Sequence, residues 1–160
     1  MPRWKQARTV ANWVNLSTPI GLALAIATRC SIRRGPNGLI LALGYRPALP
    51  VAGAFTVGGV VFFRARFGRP EEHPALLVHE ESHSSQYACC GGLPFIPLYF
   101  AGAAWSWLRT GDPASRNPFE RGAGLAAGGY RERPAMPWAS ALRPTARRLP
   151  GQGPRNRSRG

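Results

Sequence analysis

The sequence feature that most constrains this chain is the pentapeptide His-Glu-Glu-Ser-His at residues 79–83. An α-helix has about 3.6 residues per turn, so His79 and His83 would lie on one face, close enough to share a metal ion. Glu80 would lie about 100° around the helix, where its carboxylate can reach a metal-activated water without being a ligand. All 3 histidines of the chain fall within residues 71–83. The pattern predicts a helix that presents a metal site, and neutral imidazoles suit zinc.

Two histidines require a third protein ligand, and the sequence offers carboxylates for that position. Glu120 lies in the first turn of a short helix predicted to begin at Pro118, which can fold back against the motif helix. The same segment also matches a capping box, in which Asn117 is the N-cap and Glu120 bonds its backbone N–H. Asp112 is the reserve ligand candidate. Two imidazoles and a carboxylate suit iron as well as zinc, so the role of Glu120 and the metal's identity both stay open here.

Length and composition indicate one domain built from many short elements. The chain has 160 residues, with 19 glycines and 16 prolines. We predict a single metal-binding domain over residues 1–130 and a disordered basic tail over residues 131–160, where apolar periodicity ends. The tail carries a net +7 of the formal charge of +14. The 3 cysteines form no C-x-x-C pair, which argues against a disulfide framework and fits a reducing cytoplasm.

Turn signals divide the body of the chain into hairpins and helices. A Pro-Asn-Gly turn predicts a hairpin over residues 31–43, and a Gly-Gly turn predicts a second over residues 54–64. The predicted fold class is α+β, with a small antiparallel sheet of hairpins packed on the motif helix and further helices around it. Helices are predicted over residues 3–15, from an N-cap at Thr18 to Ala27, from about residue 74 to residue 90, over residues 93–108, and from Pro118 to about Ala127.

Two uncharged stretches, residues 9–28 and residues 88–108, raise the question of a membrane. Polar residues interrupt the first, and glycines and prolines interrupt the second, so neither predicts a continuous span. We predict a buried or membrane-touching helix from the first stretch and a core helix from residues 93–108. That helix also contains a tyrosine and tryptophans, which are typical of membrane interfaces, so contact with a membrane surface stays an alternative. The predicted location is cytoplasmic, with membrane association as the alternative.

The order of hairpins, a His-Glu-x-x-His-x-x-Gln helix and a later Asn-Pro-x-Glu segment resembles the short gluzincin-type metallopeptidases of bacteria, the minigluzincins. The resemblance covers about residues 30–128. It implies a zincin-like fold in which His79, His83 and Glu120 bind zinc. It also implies that Glu80 acts as general base.

The same resemblance implies a place for an extended peptide substrate. It makes the strand at residues 60–64 the edge of the sheet, where Val60, Val61 and Phe62 would pair with the substrate as an added strand. The resemblance also implies a tyrosine or histidine that stabilises the oxyanion, and Tyr87 and Tyr130 are the candidates here, neither of them assigned.

Function at this stage is predicted as zinc-dependent hydrolysis of peptide bonds in a peptide or protein substrate. Gln86 lies seven residues after His79, returns to the same helical face, and would support a histidine ring from behind unless it is an ordinary polar helix residue. One alternative is a metal-binding or membrane-surface protein without turnover. Nucleic acid is not expected as a partner, because no aromatic interleaving or recognised binding module accompanies the arginine-rich tail.

Overall fold

The computed structural model describes residues 1–137 of the chain. Over this range the protein is α+β, which confirms the predicted class. Its helices and strands, in chain order, are α1 (Arg3–Val14), α2 (Ser17–Ala27), β1 (Ser31–Arg34), β2 (Ile40–Tyr45), β3 (Ala54–Val57), β4 (Val60–Arg64), α3 (Pro74–Cys89), α4 (Phe95–Thr110) and α5 (Pro118–Ala123).

Both predicted hairpins form, but they join differently from the all-antiparallel sheet that was predicted. Strands β1 and β2 pair antiparallel, as do β3 and β4. The two hairpins meet through β2 and β4, which run parallel in register from Ile40 opposite Val60. The sheet is therefore mixed, with the strand order β1-β2-β4-β3.

The prediction that the strand at residues 60–64 is the sheet edge is wrong. Strand β4 lies between β2 and β3, and Val60, Val61 and Phe62 are fully buried. Their backbone groups already pair on both sides, so these residues cannot receive a substrate strand. The free edge beside α3 belongs to β3 instead.

The sheet lies between two helices, and the side chains of β4 alternate between them. Val60 and Phe62 belong to the core cluster on the α2 side, where Ala25 is buried. Val61 and Phe63 belong to the cluster on the α3 side, against which Leu76 and Leu77 pack. A strand covered on both faces is apolar at every position, which accounts for the unbroken Val-Val-Phe-Phe run.

The start of α2 corrects the predicted N-cap. The helix begins at Ser17, directly after Leu16 in the left-handed conformation. Thr18 is already helical, and its hydroxyl accepts a hydrogen bond of 2.9 Å from the backbone N–H of Gly59. The hydroxyl thus holds α2 against the turn of the second hairpin rather than capping the helix.

Helix α1 is fixed to the back of α3 by buried polar contacts. The Arg8 guanidinium lies 2.7 Å from the Glu81 carboxylate, which also forms an ion pair of 2.8 Å with Lys5. One turn on, the Asn12 amide donates to the backbone oxygen of Ser84 at 2.9 Å. Glu81 therefore has a structural role, separate from that of Glu80.

Helices α4 and α5 complete the described body. Phe95 of α4 packs on Tyr87 of α3, with 4.5 Å between the ring centroids. Within residues 1–137 no single helix has the length and hydropathy needed to cross a bilayer. Helices α1 and α2, which meet at a bend of 70°, reach that length and hydropathy only when they are counted as one segment.

Most of the predicted disordered tail, residues 138–160, lies outside the described residues. The first part of it lies beside the connection between α4 and α5. The backbone N–H of Arg133 donates to the Ser115 hydroxyl at 2.8 Å, and that of Met136 donates to the Arg109 carbonyl at 2.8 Å.

Candidate metal centre

Helix α3 presents the predicted motif toward the interior of the protein. It begins at Pro74, where the missing N–H of proline costs no helical hydrogen bond, and it ends at Cys89, before Gly91 and Gly92 with positive φ. His79 and His83 are both buried, and so is Glu80. The bounds of the predicted motif helix are confirmed.

The two imidazoles point the same nitrogen at each other. The Nε2 atoms of His79 and His83 lie 3.0 Å apart, and the rings are nearly perpendicular, at 88°. The Nδ1 atom of His79 lies 3.1 Å from the carbonyl oxygen of Gly124, which can only accept a hydrogen bond. Nδ1 therefore carries the hydrogen in the neutral ring, and Nε2 offers a lone pair.

Gln86 sets the same tautomer in His83. Its amide nitrogen donates to the carbonyl oxygen of Phe119 at 2.9 Å, so its Oε1 atom is the one that faces His83. Nδ1 of His83 donates to that oxygen at 2.8 Å. Gln86 thus leaves the Nε2 lone pair of His83 directed at His79, and it ties α3 to the residue before Glu120.

The structure distinguishes the two predicted roles of Glu120. Asn117 caps α5 by accepting from the N–H of Phe119 at 3.1 Å, but its own N–H donates to the carbonyl of Ala114 rather than to Glu120. Half of the capping box is therefore missing. The Glu120 carboxylate turns to the histidines instead, 3.2 Å from Nε2 of His79 and 3.7 Å from Nε2 of His83.

The Glu120 carboxylate is almost completely buried. The Tyr99 hydroxyl of α4 donates to its Oε1 atom. Its Oε2 atom is buried and has no hydrogen-bond partner among the described residues. An unpaired carboxylate oxygen in the interior is costly unless a cation or a donor satisfies it.

When both imidazoles are neutral, three acceptors thus converge without a donor between them. One ligand atom from each of His79, His83 and Glu120 lies within 4.8 Å of the others, and all three residues are buried. Lone pairs gathered in this way attract a cation, and the set of two imidazoles and one carboxylate fits the zinc ligands of hydrolytic sites. The group could hold a metal ion.

The charges of this cluster shift the titration of its members. Burial lowers the pKa of His79, but contact with Glu120 and the charge of Glu80 outweigh it and raise that pKa above its usual value. Burial lowers the pKa of His83. Burial also works to raise the pKa of Glu120, but its contacts with His79 and Tyr99 keep it below the usual range.

Glu80 lies beside this cluster and faces a cavity. Its carboxylate accepts a hydrogen bond of 2.8 Å from the hydroxyl of Thr56 on β3, which fixes its orientation. Burial raises the pKa of Glu80 to about 7, against the opposing effect of the Thr56 hydrogen bond. A carboxylate with that pKa can both take and return a proton near neutral pH. The adjoining cavity has a volume of about 540 Å³, and His79 and Glu80 are among its lining residues.

The segment at residues 124–130, here called the glycine loop, forms another wall of the cavity. A side chain on Gly128 would come within 2.8 Å of Nε2 of His79, so only glycine fits at this position. Tyr130 also lines the cavity, and its ring centroid lies 6.1 Å from that of His79. Burial raises the pKa of Tyr130, which keeps its hydroxyl protonated and able to donate.

The other sequence candidates lie elsewhere. Asp112 accepts from the backbone and hydroxyl of Ser115 and does not approach the histidines. The ring of His73 lies 2.9 Å from the carbonyl oxygen of Phe67. Tyr87 does not line the cavity beside His79 and Glu80, which leaves Tyr130 as the tyrosine that does.

The sequence did not point to three residues that contact the site: Tyr99, Thr56 and Gly128. Tyr99 and Thr56 sit in apolar runs whose periodicity only indicates packing. The Gly-Gly-Tyr sequence at residues 128–130 was the one available signal, since paired glycines often allow close approach to a site.

Comparison of the chain with known protein families, with curated proteins and with solved structures gave no match.

Proposed function

We propose that this protein is a zinc-dependent peptidase with a zincin-like site, related in plan to the minigluzincins. The observation that carries the proposal is the convergence of His79, His83 and Glu120 on one buried point, with Oε2 of Glu120 unpaired. Glu80 lies on the cavity side of that point without being part of the ligand set. This is the arrangement that metal-assisted hydrolysis requires.

The ligand set itself suits zinc. His79 and His83 would bind through Nε2, since both Nδ1 atoms are engaged by Gly124 and Gln86. Glu120 would bind through its carboxylate, held from the other side by Tyr99. A bound zinc ion supplies Lewis-acid activation of water and of the substrate carbonyl.

The chain's own residues would then move the protons. Glu80 accepts a proton from the attacking water and delivers it to the leaving amine nitrogen, while Thr56 keeps the carboxylate in place. Tyr130, whose ring lines the cavity beside His79, would donate a hydrogen bond from its hydroxyl to the oxyanion that forms on the former carbonyl oxygen. Glu80 and Tyr130 line the same cavity as His79.

The substrate-binding edge is proposed at β3. This strand ends the sheet beside α3, and Gly53 and Ala54 line the cavity. An extended peptide pairing with β3 would pass the site as an added strand. The substrate-pairing role that was predicted for β4 is therefore proposed for β3.

The test begins with metal content and ends with hydrolysis. The purified full-length chain should bind zinc in a one-to-one ratio and cleave members of a mixed peptide library. Glu80→Gln should keep the zinc and lose cleavage by at least about a hundredfold, because only the proton acceptor is removed. His79→Ala should lose both zinc and cleavage.

Ser82→Ala is the matched control, because the Ser82 hydroxyl only bonds its own helix at the carbonyl of Val78. It should retain zinc and activity. Zinc binding without cleavage of any library member would identify a metal-binding protein instead. Full activity in Glu80→Gln would contradict the proposed mechanism.

A further inference from the structure

Helix α4 has an inverted distribution of side chains. Its C-terminal half turns small or polar residues inward, namely Gly102, Ser106 and Thr110, of which the two hydroxyl residues are buried. Large apolar side chains occupy the outward positions. They are Ile96, Leu98, Phe100, Trp105, Trp107 and Leu108, with exposures of 36–65%.

An exposed helix face in water normally carries polar residues, with the apolar stripe toward the core. In the C-terminal half of α4 the order is reversed, as in helices that pack through small residues and turn apolar side chains to lipid.

The two N-terminal helices show the same inversion. Their buried positions are polar or small: Arg8 and Asn12 in α1, and Ser17, Thr18, Gly21 and Ala25 in α2. Leu22 and Leu24 of α2 pack half-buried against the core. The other large apolar residues of this segment are exposed, namely Trp4, Val10, Trp13, Val14, Leu16, Ile20 and Ile26.

The two exposed faces adjoin at the corners of the helices. A side chain on Gly92, just before α4, would collide with the Asn15 side chain at the α1–α2 bend, within 2.7 Å. Leu16 and Leu93 follow these two contact residues directly, and both are exposed. The exposed apolar residues of α1, α2 and α4, whose helix ends meet at this corner, are here together called the apolar surface.

The charges around this surface have one sign. Helices α1, α2 and α4 contain no acidic residue. Arg3, Arg29 and Arg109 lie at helix ends, and none of them forms an ion pair with a residue of the described range 1–137. The Arg109 guanidinium lies 5.1 Å from the ring centre of Trp105, so the charge is held beside an exposed aromatic ring.

We propose that the apolar surface docks into the interface of an anionic lipid bilayer. The large side chains would enter the acyl boundary, and the arginines would contact lipid phosphates at the rim. A second copy of the chain fits less well, because it would bring two sets of unpaired arginines together. The proposal does not depend on the peptidase activity.

The experiment is vesicle flotation of the full-length chain, kept in detergent until mixing. Vesicles of phosphatidylglycerol and phosphatidylcholine should bind the protein, and vesicles of phosphatidylcholine alone should bind it less. In the double variant Phe100→Glu/Trp107→Glu, binding should fall by about tenfold or more. Leu49→Glu is the matched control, because Leu49 is 72% exposed in the loop between β2 and β3, outside the apolar surface. It should bind as the wild type does.

A second measurement uses the wild-type protein and so does not depend on a variant folding. Four of the 5 tryptophans lie on exposed parts of α1 and α4, so lipids brominated in the acyl chain should quench most of the tryptophan fluorescence. The arginines of residues 138–160 could hold the chain to an anionic vesicle by charge alone, but that binding would leave the tryptophans unquenched and would vanish at high salt.

Three results would overturn the proposal: no flotation of the wild type, flotation without quenching, or equal losses in Leu49→Glu and the double variant. A dimer of the detergent-free protein that the double variant converts to monomer would assign the surface to a second copy instead.

Discussion

The His83 imidazole donates its Nδ1–H to the side-chain oxygen of Gln86 at 2.8 Å, within the same helix. Gln86 can offer that oxygen only because its amide nitrogen is engaged by the Phe119 carbonyl. One side chain thus sets the tautomer of a proposed ligand and fixes the helix that carries Glu120.

Replacing Gln86 with Ala should therefore weaken metal binding more than it weakens the fold. Hydrogen bonds to metal-bound histidines are commonly worth about 10–100-fold in metal affinity, and we expect a loss in that range. Competition for zinc with a chromophoric chelator measures it. Ser82→Ala, also on α3 but without contact to a histidine, should leave the affinity unchanged. An unchanged affinity in Gln86→Ala would make Gln86 an ordinary polar residue of the helix.

Variants of Glu120 and Asn117, compared side by side, should distinguish a metal ligand from a helix cap. Asn117→Ala removes the side chain that accepts from Phe119, and loss of an N-cap costs about 1 kcal/mol of stability. Glu120→Gln keeps the size of the side chain but removes its charge, so zinc binding should fall by at least about a hundredfold. Urea unfolding and metal analysis measure the two effects. If both variants lost stability equally and both kept zinc, Glu120 would be a cap residue and not a ligand.

Most parts of the fold that local sequence chemistry controls were predicted correctly, although the N-cap at Thr18 and the helix end near Ala127 were not. The Pro-Asn-Gly and Gly-Gly turns give hairpins β1–β2 and β3–β4, and Pro74 and Gly91 bound the motif helix. Each of these depends on the backbone preferences of a few neighbouring residues. The metal-ligand candidates follow from helical spacing for the same reason.

The pairing of β2 with β4 could not be predicted in this way, because it depends on packing between distant segments. Helices α2 and α3 cover opposite faces of the sheet, and this places β4 in the centre. The unbroken apolar run at residues 60–63 is typical of a strand buried on both faces, so it was a signal against an edge position. The edge position was implied only by the resemblance to the minigluzincins.

The glycine loop escaped prediction for a different reason. Residues 124–130 show neither the helical nor the strand period of apolar residues. The helix that was predicted to continue to about Ala127 ends at Ala123, before Gly124 with a φ of 92°. The contact of this loop with His79 exists because Gly128 lacks a side chain.

Gly128→Ala tests that contact directly. The added methyl group would lie 2.6 Å from Cε1 and 2.8 Å from Nε2 of His79, so the ring or the loop must move. We expect zinc affinity to fall by about tenfold or more, as for other disturbances of a histidine ligand's surroundings. Gly129→Ala is the matched control, because nothing lies within 4 Å of its added methyl group. It should cost only about 1 kcal/mol, from the positive φ of Gly129, and leave zinc binding intact. Equal zinc affinity in both variants would show that the loop does not constrain His79.

Because the ion pair of Arg8 and Glu81 is buried, the loss of one partner should lower the free energy of unfolding by a large amount. The exposed fraction of the Arg8 side chain is 3%, and that of Glu81 is 11%. Arg8→Met leaves the buried carboxylate with Lys5 and Asn37 only, and breaking a buried ion pair costs about 3 kcal/mol or more. Arg8→Met/Glu81→Met removes both charges together and should be less destabilised than Arg8→Met alone, since the only charge that then lacks its partner is that of Lys5, which reaches solvent. Lys5→Met is the control, with a smaller loss expected because Lys5 is more exposed, at 18%. The urea midpoints of the three variants give their order of stability. A double variant less stable than Arg8→Met would show that the pair stabilises the protein by its own attraction rather than by avoiding an unpaired charge.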